Sequence, residues 1–487
     1  MSKQYFTTIG LEIHAELDTN SKMFCGCINN PDTETPNTNI CPVCMAHPGS
    51  LPVANKKAIE YVIRVGLALD SEIANFIEFD RKNYFYPDIP KGYQISQYKY
   101  PIVSGGELDG VKITRIHLEE DTATSRHGSR PEVIEGQSPS TGSGQEVSLL
   151  DFNRAGVPLM ELVTEPVIHS AKEAVDFAKE LQILLRYLGV SHANMEKGEM
   201  RVELNISISP DKNKFGTKVE VKNINSFKAV ERAAEYEIKR MSELYEDGKE
   251  SEIVQETRGW DEGKQMTFSQ RSKENSEDYR YFPEPDLPKF YLHEVFDLEK
   301  MKKELPELPE DKRFRYIEDF GLKLEDIESY ITDRELGVWF ELVVKELHND
   351  KNKIKIASNY VTSDLLGLKN SGVEVKFPNP VNFAELITMA VAGEISSRAT
   401  KDILAMIVVK DESPRKIAET NDLLQKNDEG SLKEIVQKII DANPEVVATY
   451  KSGKENAIMS LVGKVMGETK GSANPQIVQK LLKEMIK

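Results

Sequence analysis

The chain has 487 residues, too many for a peptide factor or a lone binding module and enough for about three domains. Its 39% hydrophobic and 29% charged residues are the balance of a soluble globular enzyme, which excludes a disordered chain. A net charge of −17 excludes a protein that coats nucleic acid indiscriminately, because such binding draws its energy from Lys and Arg neutralising phosphates; any RNA contact must be local.

The start, Met1-Ser2-Lys3-Gln4-Tyr5, lacks the apolar stretch of a secretion signal, and no run approaches the roughly 20 apolar residues that span a bilayer, so a cytoplasmic protein is expected. Strands are predicted at 7–16, 110–114, 146–152, 201–209 and 218–221. Ser170 with Glu173 forms a capping box ahead of Val175, Phe177, Ala178, Leu181, Leu184, Leu185 and Leu188, and Gly189 ends that helix. Ser226 likewise opens a helix through Phe227, Val230, Ala233, Ala234, Ile238, Met241 and Leu244, with Gly248 beyond it. The Ser, Pro, Thr and Gly of 136–146 lack periodicity and predict a mobile surface loop. After Pro288 the character becomes helical, with Thr332 and Glu335 expected to cap one helix and Ser431 and Glu434 another. The organisation expected is an α+β domain over 1–290, an all-α helical domain over 291–405 and a small all-α tail domain over 406–487. From Val446 onward seven lysines, Lys454 and Lys464 among them, face three acids, a local charge of +4 that taken alone is most simply a plain solvated face and is also the best place in the chain for an RNA backbone contact.

The only cysteines read Cys25-Gly-Cys27, thirteen residues, then Cys41-Pro-Val-Cys44. Two close pairs can converge on a tetrahedral Zn²⁺; four free thiols are the other reading. Glu12 and His14 sit two apart on a strand, so both point the same way, and His117-Leu-Glu119-Glu120-Asp121 repeats the mixture of acid and imidazole. Neighbouring carboxylates repel, so the two patches point to a Mg²⁺ site, with a purely structural pair as the alternative. Lys82 heads an Asn-Tyr-Phe-Tyr run suited to stacking unpaired bases, as a tRNA end or a nucleotide requires, or to a tyrosine-rich turn. Lys218, Glu220 and Lys222 share one strand face. There is no Gly-x4-Gly-Lys-Ser/Thr, no Gly-x-Ser-x-Gly, and no cysteine outside the metal spacing, so a partner must release any glutamine nitrogen.

Taken in order, Ile9-Gly-Leu-Glu-Ile-His14, the cysteine pairs running into Pro48-Gly-Ser-Leu-Pro52, Asp80-Arg-Lys-Asn-Tyr-Phe-Tyr-Pro-Asp88, Leu118-Glu-Glu-Asp121, Asp151-Phe-Asn-Arg-Ala-Gly156, Lys222-Asn-Ile-Asn-Ser-Phe227, Asp278-Tyr-Arg-Tyr-Phe-Pro-Glu-Pro-Asp286, Leu461-Val-Gly-Lys-Val-Met466 and Gly471-Ser-Ala-Asn-Pro475 resemble the GatB family, the tRNA-binding and kinase component of tRNA-dependent amidotransferases. The resemblance covers essentially the whole chain.

It implies a catalytic cradle domain carrying a zinc-knuckle insertion, a helical domain and a tail that grips the tRNA body. It implies a ligase component that uses ATP and Mg²⁺ to phosphorylate the side-chain carboxylate of Glu-tRNA(Gln) or Asp-tRNA(Asn). In such enzymes an amidase, the A component, supplies ammonia from glutamine and a small C component clamps the pair. Carried over residue by residue, Glu12, His14, Glu119 and Glu120 are expected in catalysis, with Glu12, His14 and Glu120 as Mg²⁺ ligands and Cys25, Cys27, Cys41 and Cys44 as structural zinc ligands. Lys82, Arg154 and Lys218 are expected at phosphate or the tRNA terminus, and Lys454 and Lys464 on the tRNA body. Adjacent strand residues face opposite ways, so the choice between Glu119 and Glu120 stays open. Two departures from the family pattern are a longer stretch over 129–147 and Glu203 where several members carry Asp. A non-catalytic zinc-containing tRNA-binding protein and a stand-alone carboxylate–amine ligase are the competing functional readings.

Overall fold

Alternation along the first strand sets the architecture. In Phe6–Glu16 the odd positions Ile9, Leu11, Ile13 and Ala15 are fully buried, while Glu12, His14 and Glu16 take the other face. In the computed structural model, which describes residues 5–129, 146–272, 279–371, 376–425, 429–469 and 473–486, this strand lies at the centre of a ten-stranded sheet. On one side of it come Pro158–Thr164, Val111–Glu120, Val103–Ser104 and Glu72–Ile73, with Glu107–Leu108 also paired to Val111–Glu120. On the other come Met200–Ser209, Val219–Lys222, Glu256–Asp261 and Met266–Ser272. All these pairings are antiparallel except that of Val219–Lys222 with Glu256–Asp261.

The apolar face reads Ile116 and Leu118, then Met160 and Leu162, Leu11 and Ile13, Val202 and Leu204, and Val219 and Val221 across successive strands, all buried in one core. Helices Lys56–Ala68, Ala171–Leu188 and Phe227–Glu246 contribute to that core from Val62, Phe177, Leu181, Val230 and Ala233. Burying this stripe, at about 25 cal/mol per Å² of apolar surface, is what holds the sheet against its helices and fixes the strand register. The capping residues are those expected: Ser170 accepts from Glu173 N, Gly189 turns left-handed at φ 64°, and Ser226 accepts from Ala229 N.

Three expectations shift. The strand expected at 110–114 runs on to Glu120, because polar residues line its site face without interrupting Ile116 and Leu118 on the other. Thr332 ends one helix, Leu324–Thr332, so Asp333 rather than Thr332 caps the next, Arg334–Glu346, by accepting from Leu336 N. The helix expected to start at Ser431 begins at Glu429. The loop expected at 136–146 lies outside the described residues up to 145, and Glu146 opens a strand.

The first compact unit ends at Leu308 and a second spans Pro309–Lys487. Residues 291–308 pack with the first: Phe290–Tyr291 pairs with Phe76–Ile77, and Leu292 and Phe296 sit in its core. The second unit is helical throughout its described residues. Its last helices, Glu429–Asp441, Pro444–Lys451, Ala457–Glu468 and Pro475–Met485, close over an apolar cluster of their own that includes Val436, Leu461, Val465 and Leu482. Among the described residues no helix is long and apolar enough to cross a membrane.

Candidate functional site

The strand register aligns one row of polar residues across four strands of the face opposite the helices: His117 pairs with Glu161, Glu161 with His14, and His14 with Arg201. Glu12 and Glu203 are paired one step along, and Asn205 and Glu220 one step further. Side chains on that face converge. His14 Nε2 lies 3.3 Å from Glu161, 3.5 Å from Glu119 and 4.0 Å from Glu12, and His117 Nε2 lies 3.5 Å from Glu161. Three overlapping sets, Glu12/His14/Glu161, His117/Glu119/Glu161 and Glu12/Glu203/Glu220, each bring their ligand atoms within 4.8 Å of one another.

So dense a set of acids perturbs its own titration. Burial, with Glu161 and Glu203 adding repulsion, pushes Glu12 up to about 7 despite His14 and Lys222 nearby. Burial opposes a charge on His14, yet its hydrogen bonds to Glu119 and Glu161 hold it well above the ordinary imidazole value. Burial also resists ionisation of Glu161, but His117, His14 and Lys82 hold it well below the carboxylate range. Lys82 is likewise kept charged against burial, by Glu119, Tyr281, Glu161 and Tyr84. Lys222 sits 2.7 Å from Glu203 and 3.9 Å from Glu220. Even with these cations in place Glu12 is not fully ionised at neutral pH, so the donor set has room for a further positive charge. Carboxylate oxygens with an imidazole suit a hard divalent cation.

The pleat decides between the two adjacent acids. Ser96 Oγ donates to Glu119 at 3.1 Å on the side of His14. Glu120, expected as a ligand, shares the parity of Leu118 and points the other way, where Lys91 Nζ lies 2.6 Å from it and Ile95 N donates to it at 3.0 Å. Glu120 therefore belongs to none of the acid sets and instead lines a cavity of about 220 Å³ with Lys91, Tyr93, Cys25 and Cys44.

Other expected residues are distributed as follows. Lys82 joins the cluster. Arg154 does not: it donates to the carbonyls of Thr122 and Ala123 and pairs with Asp121, which Arg201 also holds at 2.6 Å. Lys218 is exposed just before its strand, and Lys222, on the same face, is the cation that meets the acids. Lys454 is exposed, and Lys464, also exposed, donates to Asn443 Oδ1; both lie in the second unit. Sequence reasoning missed Glu161, the hub of the cluster, and the placement of Glu203. The available signal was a lone acid inside the apolar run Val157-Pro-Leu-Met-Glu161-Leu-Val163.

The four cysteines come together in the first unit, all four sulfurs within 4.8 Å of one another and Cys41 Sγ to Cys44 Sγ 3.8 Å. A tetrahedron with metal–sulfur bonds of ~2.3 Å has edges of about 3.8 Å, so the set fits zinc. Cys44 is held down to about 5, as a thiolate, chiefly by the hydrogen bond with Cys25.

Residues 7–296 match the GatB/GatE catalytic domain family and residues 339–486 the GatB domain family. Over the full length the chain is similar to the B components of aspartyl/glutamyl-tRNA(Asn/Gln) amidotransferases. That of Caldanaerobacter subterraneus is 44% identical, with 99% of each chain covered. That of Thermotoga maritima is 43% identical, again over 99% of each. That of Crocosphaera subtropica is 42% identical over 99% of this chain and 98% of the relative.

Proposed function

The chain belongs to the GatB family, the B component of tRNA-dependent amidotransferases, and on that premise we propose that the acid and histidine face of its large sheet activates the side-chain carboxylate of Glu-tRNA(Gln) or Asp-tRNA(Asn) with ATP for amidation. The enzyme is a ligase with glutamine as amide donor. The observation that carries the site assignment is the convergence of Glu12, His14, Glu119 and Glu161 on one face of paired strands, with Glu12 short of a counter-charge.

A carboxylate resists attack by ammonia because oxide would have to leave. One of its oxygens therefore attacks the γ-phosphorus of ATP and ADP departs; ammonia then adds to the acyl carbon, and phosphate leaves carrying that oxygen. Glu12, His14, Glu119 and Glu161 are the residues that would hold Mg²⁺, which supplies positive charge opposite the ATP phosphates. To act as a ligand His14 must release the proton that Glu119 and Glu161 now stabilise. Lys82 and Lys222 keep fixed positive charges on the same face and are assigned to phosphate oxygens.

Cys25, Cys27, Cys41 and Cys44 form a structural zinc knuckle in this reading, since four thiolates leave no position for substrate. The tail, residues 406–487, grips the tRNA body through Lys454 and Lys464. Ammonia comes from the amidase component, with the small C component completing a cytoplasmic heterotrimer.

The test combines the chain with its amidase and small partners, Glu-tRNA(Gln) or Asp-tRNA(Asn), ATP, Mg²⁺ and glutamine, and identifies the amino acid left on the tRNA. Gln or Asn formed only with ATP is the expected result. An unchanged amino acid on a complex that binds tRNA favours a non-catalytic binding protein. Full activity after deletion beyond residue 410 favours a stand-alone ligase.

A further inference from the structure

The acid cluster is flanked by aromatic rings to which carboxylate activation gives no task. Tyr98 and Tyr281 lie face to face, centroids 4.4 Å apart and planes 9° from parallel. Tyr279 packs edge-on against both Tyr281 and Tyr84. The ammonium of Lys82 stands over the rings of Tyr279 at 5.2 Å and Tyr84 at 6.0 Å. Two links place the stacked pair beside the acids. Tyr98 follows by two residues Ser96, whose hydroxyl bonds Glu119. Tyr281 is close enough to Lys82, Glu119 and Glu161 for each to act on its phenol.

The pair is also held in place. Tyr98 N donates to Asp80 Oδ2 at 2.9 Å. Asn83 secures the segment leading to Tyr281, its backbone N donating to Tyr279 O at 3.0 Å and its side-chain amide to Tyr279 O at 3.2 Å and Arg280 O at 2.9 Å. Arg280 is thereby kept at φ 45°, a left-handed conformation uncommon for a residue with a side chain. That anchoring does not serve core packing: Arg280 is exposed and Tyr98, with one ring face stacked on Tyr281, is still 51% exposed, so the stack lies at the surface within reach of a ligand. A flat, pre-ordered and solvent-exposed ring, near the Lys82 ammonium, is the arrangement that receives a nucleobase.

We propose that the stacked Tyr98–Tyr281 pair is a binding platform for an adenine ring, supplied by ATP or by the 3′-terminal adenosine of the aminoacyl-tRNA. The proposal rests on ATP-dependent amidation, whose two large substrates both carry adenine. Losing one base stack weakens binding roughly tenfold or more.

The test uses the assembled enzyme with Tyr98→Leu and Tyr98→Phe. KM is measured separately for ATP and for aminoacyl-tRNA, beside equilibrium dialysis of ATP and filter binding of the aminoacyl-tRNA. The platform predicts that Tyr98→Leu raises one of the two KM values, and the matching Kd, about tenfold with kcat within twofold, while Tyr98→Phe stays near wild type; the affected substrate identifies the source of the adenine. Unchanged constants for both substrates, equal rises in both, or a Tyr98→Phe enzyme as impaired as Tyr98→Leu would each overturn it. An inactive wild-type complex counts against the amidation reading instead, and the two binding measurements then judge the platform alone.

Discussion

Glu12 is where stability and activity are expected to conflict. Its carboxyl is carried from an ordinary 4.5 to about 7, by burial first and then by Glu161 and Glu203. An acid whose pKa rises on folding leaves the fold unaffected below about 4.5, destabilises it increasingly as pH climbs toward 7, and exerts its full cost above that. At about 1.4 kcal/mol per tenfold change, ionised Glu12 costs the metal-free fold about 3 kcal/mol at pH 8 and under about 1 kcal/mol at pH 5. Glu12→Gln keeps the shape and removes the charge, so with chelator present it should melt higher than wild type at pH 8. At roughly 2 °C per kcal/mol for a unit of this size, the rise is about 6 °C at pH 8 and no more than about 2 °C at pH 5. The assay is thermal unfolding of both proteins in EDTA at the two pH values, repeated with Mg²⁺, which should stabilise wild type and not the variant. The same substitution should abolish ATP-dependent amidation with tRNA affinity near normal. A variant that melts no higher than wild type at pH 8, or that gains equally at both pH values, refutes the electrostatic reasoning.

Other expectations follow from single features. Cys41→Ser should drop zinc from one per chain to near none and lower the melting temperature, with turnover per folded molecule little changed; unaltered zinc content by atomic absorption rules out the four-thiolate site. Gly66 lies where an added Cβ would come within 2.7 Å of both Ile73 Cδ1 and Val103 Cγ2, so Gly66→Ala should cost about 1–3 kcal/mol in urea unfolding despite its better helix propensity. Lys454→Glu combined with Lys464→Glu should weaken tRNA binding and flatten its salt dependence without altering ATP affinity; an unchanged salt slope removes these lysines from the RNA contact.

Local features were legible where one segment holds the whole pattern. Glu12 and His14 share a face by the two-residue period of a strand, and the cysteine spacing brings all four thiols together. Glu161 was hidden because its neighbours are apolar and its partners, His14 and His117, are brought to it only by pairing among three strands. Glu203 and Glu220 reach Glu12 across some two hundred residues of chain, through a register no local pattern encodes. Glu119 and Glu120 are chemically identical, and only the pleat sends one toward His14 and the other toward Lys91. Thr332 and Asp333 both suit a helix start; the preceding helix claims Thr332 and leaves the cap to Asp333.

The claim that this face activates a carboxylate by phosphorylating it is tested most directly by isotope transfer. Glu-tRNA(Gln) carrying ¹⁸O in the side-chain carboxylate is amidated by the assembled enzyme with ATP and glutamine, and the phosphorus products are analysed by mass. One ¹⁸O is expected in the inorganic phosphate released with each Gln-tRNA formed, and no such transfer with Glu12→Gln. ¹⁸O appearing in AMP, or in no phosphorus product while amidation proceeds, would contradict it.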